Sequence, residues 1–292
     1  MGEASALGAA VLWAFSTILL TSQARLIHPI PLSALRGLFA SVFLVLVALP
    51  SGAIDELREM SANTALSMVG SGVVGMALGD TMYITSLGLL GAARTFPISA
   101  AAYPLLTFLL AAFFLDEQVT VVVLLGAGLV VVGLWLLVAE RGTSSERSAR
   151  GSMALRGVGF ALGAGALWAL ATIWLKLGSG DLGAVAAGSL RVPAAGLFLL
   201  GLTASRARHL ELRNYDTRSV ATVAAAGLLG MGVGSLLFIF SVQEAGAGKA
   251  AILSSTAPLY ALPLSVLLLA ERLTLKIVLG TIISIVGIWL VV

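Results

Sequence analysis

The feature that most constrains this chain is the spacing of its charges. Lys, Arg, Asp and Glu fall in short clusters, and between them run apolar stretches of roughly 20 residues. A helix of that length crosses the hydrocarbon core of a bilayer, where only helices and closed barrels satisfy their own backbone polar groups. A barrel is built from alternating segments of roughly ten residues, whereas these runs are continuous in Leu, Ala, Val and Gly. The chain therefore reads as an all-α, polytopic membrane protein. Composition agrees, with 59% of the 292 residues apolar and 11% charged, against about 25% charged in soluble domains. A soluble enzyme, a secreted disulfide scaffold and a nucleic-acid binder are excluded as classes. The absence of cysteine removes disulfides, thiolate metal ligands and thiol nucleophiles together. Glu3 precedes the first apolar run and no Lys or Arg does, so that run is expected to be a retained helix rather than a cleaved signal peptide.

Runs bounded by charge, Pro or Gly predict ten transmembrane helices, near 4–23, 31–50, 64–88, 92–115, 119–139, 156–176, 183–204, 219–243, 247–269 and 273–292. A Ser-, Gly- and Arg-containing linker at 141–155 divides the chain into segments 1–140 and 156–292. The two segments match each other. An offset of 155 places Leu12-Trp13-Ala14 on Leu167-Trp168-Ala169, Thr17 on Thr172, Leu35-Arg36 on Leu190-Arg191, and Gly75 and Gly79 on Gly230 and Gly234. After a one-residue slip in the fourth span, an offset of 154 places Pro104 on Pro258, Glu117 on Glu271, Thr120 on Thr274 and Trp135 on Trp289. One small gap over the matched length is the mark of an internal repeat.

Five helices per repeat is an odd number, so the second copy is expected to lie inverted in the membrane. The loops agree. The connection after the second span carries Asp55, Glu56, Arg58 and Glu59, whereas its counterpart after the seventh carries Arg206, Arg208, Glu211, Arg213, Asp216 and Arg218, which is the opposite charge bias. Cytoplasmic loops are enriched in Lys and Arg. Arg25, Arg94, Arg141, Arg147, Arg150, Arg156, Arg206, Arg208, Arg213, Arg218, Arg272 and Lys276 sort to one face. Arg58, Lys176 and Lys249 sort to the other, and Arg36 and Arg191 lie within spans. The richer face is expected to be cytoplasmic, which puts both termini outside.

Inverted repeats of this kind build alternating-access transporters, with the solute held near the midplane between the halves. The Leu-Trp-Ala segment at Trp13 and Trp168, Arg36 and Arg191 early in the second helix of each repeat, Pro104 and Pro258, and Glu117–Thr120 with Glu271–Thr274 resemble the EamA-type drug/metabolite transporter superfamily over essentially the whole chain. Within it, the chain is similar to the YddG-type amino-acid exporters. The resemblance implies export of small metabolites, amino acids or amphipathic compounds, across a bacterial inner membrane. The superfamily's four-helix multidrug exporters exchange protons through a Glu in helix one. Here the first and sixth spans hold no carboxylate, so facilitated diffusion or another carboxylate has to serve.

Candidate site residues follow from polarity inside spans. The fourth and ninth spans each carry two prolines, Pro97 and Pro104 against Pro258 and Pro263, beside Ser99 and Tyr103 or Ser254, Thr256 and Tyr260. Proline frees helix carbonyls, which a membrane tolerates where protein or a water-filled cavity satisfies them. These residues are expected to line a cavity, with ordinary helix packing as the alternative. Trp13 with Thr17, and Trp168 with Thr172, put an aromatic ring and a hydroxyl one turn apart on one face. Tyr83 and its mate Phe238 join them as candidate solute contacts, against a role as core or interfacial anchors. Asp80 is the only acid well inside a span and is a functional hypothesis by default. It can pair with Arg36, bind a proton or meet a substrate ammonium group. Arg36 and Arg191 are expected to snorkel to the headgroups, with a substrate carboxylate as the alternative partner. Gly75-x-x-x-Gly79 and Gly230-x-x-x-Gly234 suit close helix packing and hinge motion. The fifth and tenth spans are the least polar and are expected to face lipid.

An enzyme is not expected. Residue 77 is Ala where an intramembrane aspartyl protease needs Gly, Asp216 lies in a charged loop, and there is no His-Glu-x-x-His motif. His28 and His209 sit in loops, so no metal or cofactor is implied. The expected partners are a small solute and the bilayer; the oligomeric state is left open, with a monomer compatible. The other class compatible with the sequence is a membrane-embedded binding or scaffold protein.

Overall fold

The structure is a computed structural model that describes residues 1–115, 121–138, 149–179, 182–205, 215–245, 250, 253–271 and 273–291. Glu117, Thr120, Lys249, Arg272, most of the linker and the basic stretch 206–214 lie outside them. Among the described residues all regular structure is helical. The helices are α1 (Gly2–Gln23), α2 (Pro29–Ala48), α3 (Ala53–Glu59), α4 (Ala62–Leu90), α5 (Ala92–Leu115), α6 (Val121–Val138), α7 (Ala149–Gly178), α8 (Ala184–Ser205), α9 (Thr217–Ala245), α10 (Ala257–Leu269) and α11 (Leu275–Val291). By length and composition, α1, α2, α4, α7, α8 and α9 can cross a membrane, and α10 and α11 are shorter apolar helices.

Local chemistry sets the helix ends. Pro29 occupies the first turn of α2, where a missing N–H costs nothing, and the His28 ring accepts from the Ile30 N–H at 3.4 Å. Ser61 caps α4 by accepting from the Thr64 N–H at 3.1 Å. Asp216 caps α9 through the Ser219 N–H at 3.2 Å. Hydrogen bonds from Ser219 hold that exposed carboxyl below its ordinary pKa. Between α4 and α5 the chain turns at Gly91, whose φ of 79° suits a residue without Cβ.

Three departures from the predicted spans have physical causes. The acidic connection after α2 folds into the short helix α3. The predicted ninth span does not run as one helix: residues 255–256 form a turn and α10 begins at Ala257, because Pro258 fits the start of a helix but not its interior. Helices α4 and α9 each contain a wider π-helical stretch, Val73–Gly79 and Leu228–Gly234, at positions 155 apart. Such stretches interrupt α-helices at functional sites.

The packing follows the same offset. α1 lies against α9 and α10, while α7 lies against α4 and α5. The approaches are reciprocal. A Cβ on Gly79 would meet the Trp168 ring at 2.9 Å, and one on Gly234 would meet the Trp13 ring nitrogen at 3.0 Å. A Cβ on Gly72 would collide with the Arg191 carbonyl oxygen, and one on Gly227 with that of Arg36. α2 and α8 pack together, with a Cβ on Gly37 falling 3.4 Å from the Gly196 Cα. α6 and α11 pack along each other and against α5.

Candidate functional site

A central cavity of about 170 Å³ is walled by α1, α2, α4, α5, α7, α8, α9 and the turn before α10. No described residue of α6 or α11 lines it. Both π-helical stretches border the cavity, through Gly75 and Met76 on one side and Gly230 and Met231 on the other.

Its charged wall is built from three helices. Arg36 of α2 donates from Nη2 to Asp80 Oδ2 at 2.6 Å, and Trp168 of α7 donates from Nε1 to Asp80 Oδ1 at 2.8 Å. Both Asp80 oxygens are therefore engaged. Burial of a carboxylate is tolerated when it is paired and hydrogen-bonded in this way. Arg191 of α8 reaches the same cavity, and its Nε donates to Ser71 Oγ at 2.9 Å. Among the described residues Arg36–Asp80 is the only ion pair in the cavity, and Arg191 has no carboxylate partner. Two guanidinium groups and one carboxylate give the lining a net positive charge. A buried arginine needs negative charge nearby; Asp80 acts on Arg191 through space but is bonded to Arg36, so the Arg191 side of the cavity is a place where an anion is stabilised.

The aromatic walls come in matched pairs. Trp13 faces Phe238 with ring centroids 5.2 Å apart, and Trp168 faces Tyr83, also at 5.2 Å. Tyr103 meets Trp168 edge-on at 6.4 Å. Two hydroxyl pairs link the walls, Thr17 with Tyr83 at 2.8 Å and Tyr103 with Thr172 at 2.9 Å. The Trp13 indole donates to the Gly230 carbonyl at 3.1 Å, and Ser16 donates to the Ala226 carbonyl at 2.9 Å. These are carbonyls in and beside the π-helical stretch of α9. The cavity thus offers flat apolar faces, a few fixed hydroxyls and one cationic end, a combination that suits a small amphipathic solute.

The sequence profile of the EamA-like transporter family matches this chain twice, over residues 1–139 and 155–292. The chain belongs to the EamA-like transporter family. An uncharacterized transporter of Archaeoglobus fulgidus is 28% identical over 286 residues, covering 97% of this chain and 95% of that one. A solved crystal structure superposes with a TM-score of 0.72 at 16% identity, over 99% of this chain and 95% of the other, which is a likeness of fold. This EamA-like transporter is a membrane protein and not an enzyme.

Within this EamA-like fold, Trp13, Thr17, Asp80, Tyr83, Tyr103, Trp168, Thr172, Phe238 and Ser254 line the cavity, and Gly75 and Gly230 border it. Gly79 and Gly234 back onto the two tryptophans instead. Three expected lining residues lie elsewhere. Ser99 is buried and turned back onto its own helix, donating to the Thr95 and Phe96 carbonyls at 3.0 and 3.1 Å. Thr256 donates to the Leu253 carbonyl at 2.6 Å. Tyr260 is 37% exposed, and Pro263 is exposed too. Pro97, Pro104 and Pro258 are buried, and α5 continues through the first two. The snorkelling expected of Arg36 and Arg191 does not occur. Each is 6% exposed and turned into the protein. Sequence reasoning missed Ser71, Phe96 and the pair Met76/Met231 as cavity or partner residues. The methionines lie 155 apart between the repeat-matched glycines, a signal that was available.

Proposed function

We propose that this EamA-like transporter is an alternating-access exporter of small, amino-acid-like metabolites, compounds that join an apolar or aromatic body to a carboxylate. Ten spans form two inverted five-helix repeats, 1–140 and 156–292, joined by the linker 141–155. The observation that carries the reading is the central cavity, lined from both halves and containing a buried Arg36–Asp80 pair, a second arginine and six aromatic residues. The reciprocal contacts at an offset of 155 support the repeat, because the first helix of each half packs against the third helix of the other.

In this mechanism the apolar body lies between the Trp13/Phe238 and Trp168/Tyr83 pairs, and the carboxylate points to the cationic end. The Thr17–Tyr83 and Tyr103–Thr172 hydroxyl pairs open to share their hydrogen bonds with the solute. Ser254 lies at the break before α10. Asp80 fixes Arg36 and Trp168 in place. Exchange between inward- and outward-facing states moves one half against the other, as in other inverted-repeat transporters. Bending is concentrated at the glycines of the π-helical stretches, Gly75, Gly79, Gly230 and Gly234, and at Pro97, Pro104, Pro258 and Pro263. In this reading the protein lies in a bacterial inner membrane with both termini outside.

Reconstitution into liposomes tests this reading. Vesicles loaded with unlabelled phenylalanine are expected to take up external labelled phenylalanine faster than protein-free vesicles, with saturation. Repeating the assay across an imposed pH gradient separates proton coupling from facilitated diffusion. Absence of uptake for every apolar or aromatic solute tried, with the fold intact by circular dichroism, favours the binding or scaffold class instead.

A further inference from the structure

The cavity treats the two ends of an amino acid differently. Among the described residues Asp80 is its only carboxylate, and both of its oxygens are already engaged, by Arg36 and by the Trp168 indole. An ammonium group entering the cavity would have to compete with a guanidinium 2.6 Å from Asp80 Oδ2. Arg191 is in the opposite situation. It is buried and lines the cavity, and among the described residues its one hydrogen bond runs from Nε to Ser71 Oγ. That bond anchors the guanidinium plane to α4 but brings no negative charge. Its terminal nitrogens have no acceptor among the described residues. A planar fork held at Nε and open at its two ends is the geometry that takes a carboxylate through two parallel hydrogen bonds.

A purely structural Arg191 would be expected to have a bonded carboxylate partner of its own, since a charge in a low-dielectric interior is strongly disfavoured without one; Asp80 acts on it through space but is bonded to Arg36. Its repeat mate Arg36 has one in Asp80. The position in the second half equivalent to Asp80 is Ser235, which is neutral and also lines the cavity. The repeat thus duplicated the arginine without its acid. We infer that Arg191 is an anion-binding subsite and that the cavity selects organic monoanions: an apolar or aromatic body with a carboxylate and no ammonium group. Deaminated acids are therefore favoured over the amino acids of the same skeleton. This rests on the reading above that the cavity holds the transported solute.

Three probes share one hydrocarbon skeleton and differ in charge: 3-phenylpropanoate is an anion, phenylalanine a zwitterion and phenethylamine a cation. Their affinities for the purified full chain in detergent micelles are measured by isothermal titration at neutral pH. The anion is expected to bind at least about tenfold more tightly than phenylalanine, and phenethylamine more weakly than either. Equal affinities, a reversed order, or no binding of any probe at millimolar concentration overturns the proposal. Arg191→Gln is expected to bring the anion down to the level of phenylalanine, and Arg191→Lys to restore part of the difference. Wild-type affinity for the anion in folded Arg191→Gln overturns it as well. If Arg191→Gln does not fold, the order of the three probes on the unaltered protein still decides. Proteoliposome flux separates this inference from the function it rests on. Anion-selective binding without flux removes the transport reading and leaves the subsite, whereas flux that favours phenylalanine or phenethylamine removes the subsite and leaves transport.

Discussion

Asp80 is held where an isolated carboxylate would be excluded, because Arg36 and Trp168 together occupy both its oxygens. Removing one member of a buried ion pair leaves the other uncompensated, at a cost of about 3–5 kcal/mol. Asp80→Asn is therefore expected to lower the thermal unfolding midpoint markedly in micelles and to reduce flux, and Arg36→Gln in the same chain is expected to recover part of the stability. An Asp80→Asn protein with unaltered stability and flux would show that the pair is dispensable. That Asp80, Arg36 and Arg191 lie within helical spans was legible in the sequence, but the direction of their side chains was not. Position along a span gives depth, and the neighbour that turns a side chain inward, such as Ser71 for Arg191, lies on another helix. The hydroxyls of Ser99 and Thr256 misled for a related reason. A Ser or Thr in a helix can satisfy itself on a carbonyl three or four residues back, so its presence in a span does not imply a cavity.

The helix ends were mostly readable, because Pro29, Ser61, Gly91 and Asp216 are local signals. The turn at 255–256 had a local signal in Pro258, whereas the π-helical stretches did not, since they depend on how neighbouring helices approach. Gly72 and Gly227 lie on the inner faces of α4 and α9, where the backbones of α8 and α2 come closest. Alanine at either position would press on a main-chain carbonyl rather than on a flexible side chain. The expected loss is about 1–3 kcal/mol, read as a lower unfolding midpoint. Gly201→Ala, where a Cβ has open space, is expected to change stability by less than about 0.5 kcal/mol. Equal effects at the three positions would contradict the close approach. Glu271, part of the repeated Glu-x-x-Thr pattern, accepts from the Ala92 and Ala93 N–H groups at 2.9 and 2.7 Å and so holds the start of α5. Its carboxylate sits at the positive end of that helix. Glu271→Ala is expected to cost about 1–3 kcal/mol by stripping these donors of their acceptor, again measured by thermal unfolding.

For the whole molecule, the 155-residue offset read from the sequence recurs in the reciprocal packing of α1 and α7. The absence of cysteine makes the proposed orientation directly testable. A cysteine introduced by Ser51→Cys is expected to react with a membrane-impermeant maleimide in intact cells, and one introduced by Ser145→Cys only after the cells are opened. The reverse pattern would invert the orientation, and reaction of both in intact cells would contradict an odd number of spans between them. What the repeat could not convey is where the halves differ. Asp80 against Ser235, Tyr83 against Phe238 and Ser16 against Ala171 are among the differences that make the cavity asymmetric, and the proposed selectivity rests on that asymmetry. The central claim is that the shared cavity is the route of transport. It is tested most directly by the initial rate of saturable uptake into proteoliposomes for the unaltered protein, Trp168→Phe and Trp135→Phe. Trp168 lines the cavity and bonds to Asp80, whereas Trp135 is 66% exposed on the outer surface of α6. Loss of a hydrogen bond to a charged group is worth about 1.5–3 kcal/mol. The account predicts a rate lower by about tenfold or more for Trp168→Phe and an unchanged rate for Trp135→Phe. Equal rates for the two variants, or no saturable uptake by the folded unaltered protein, would contradict it.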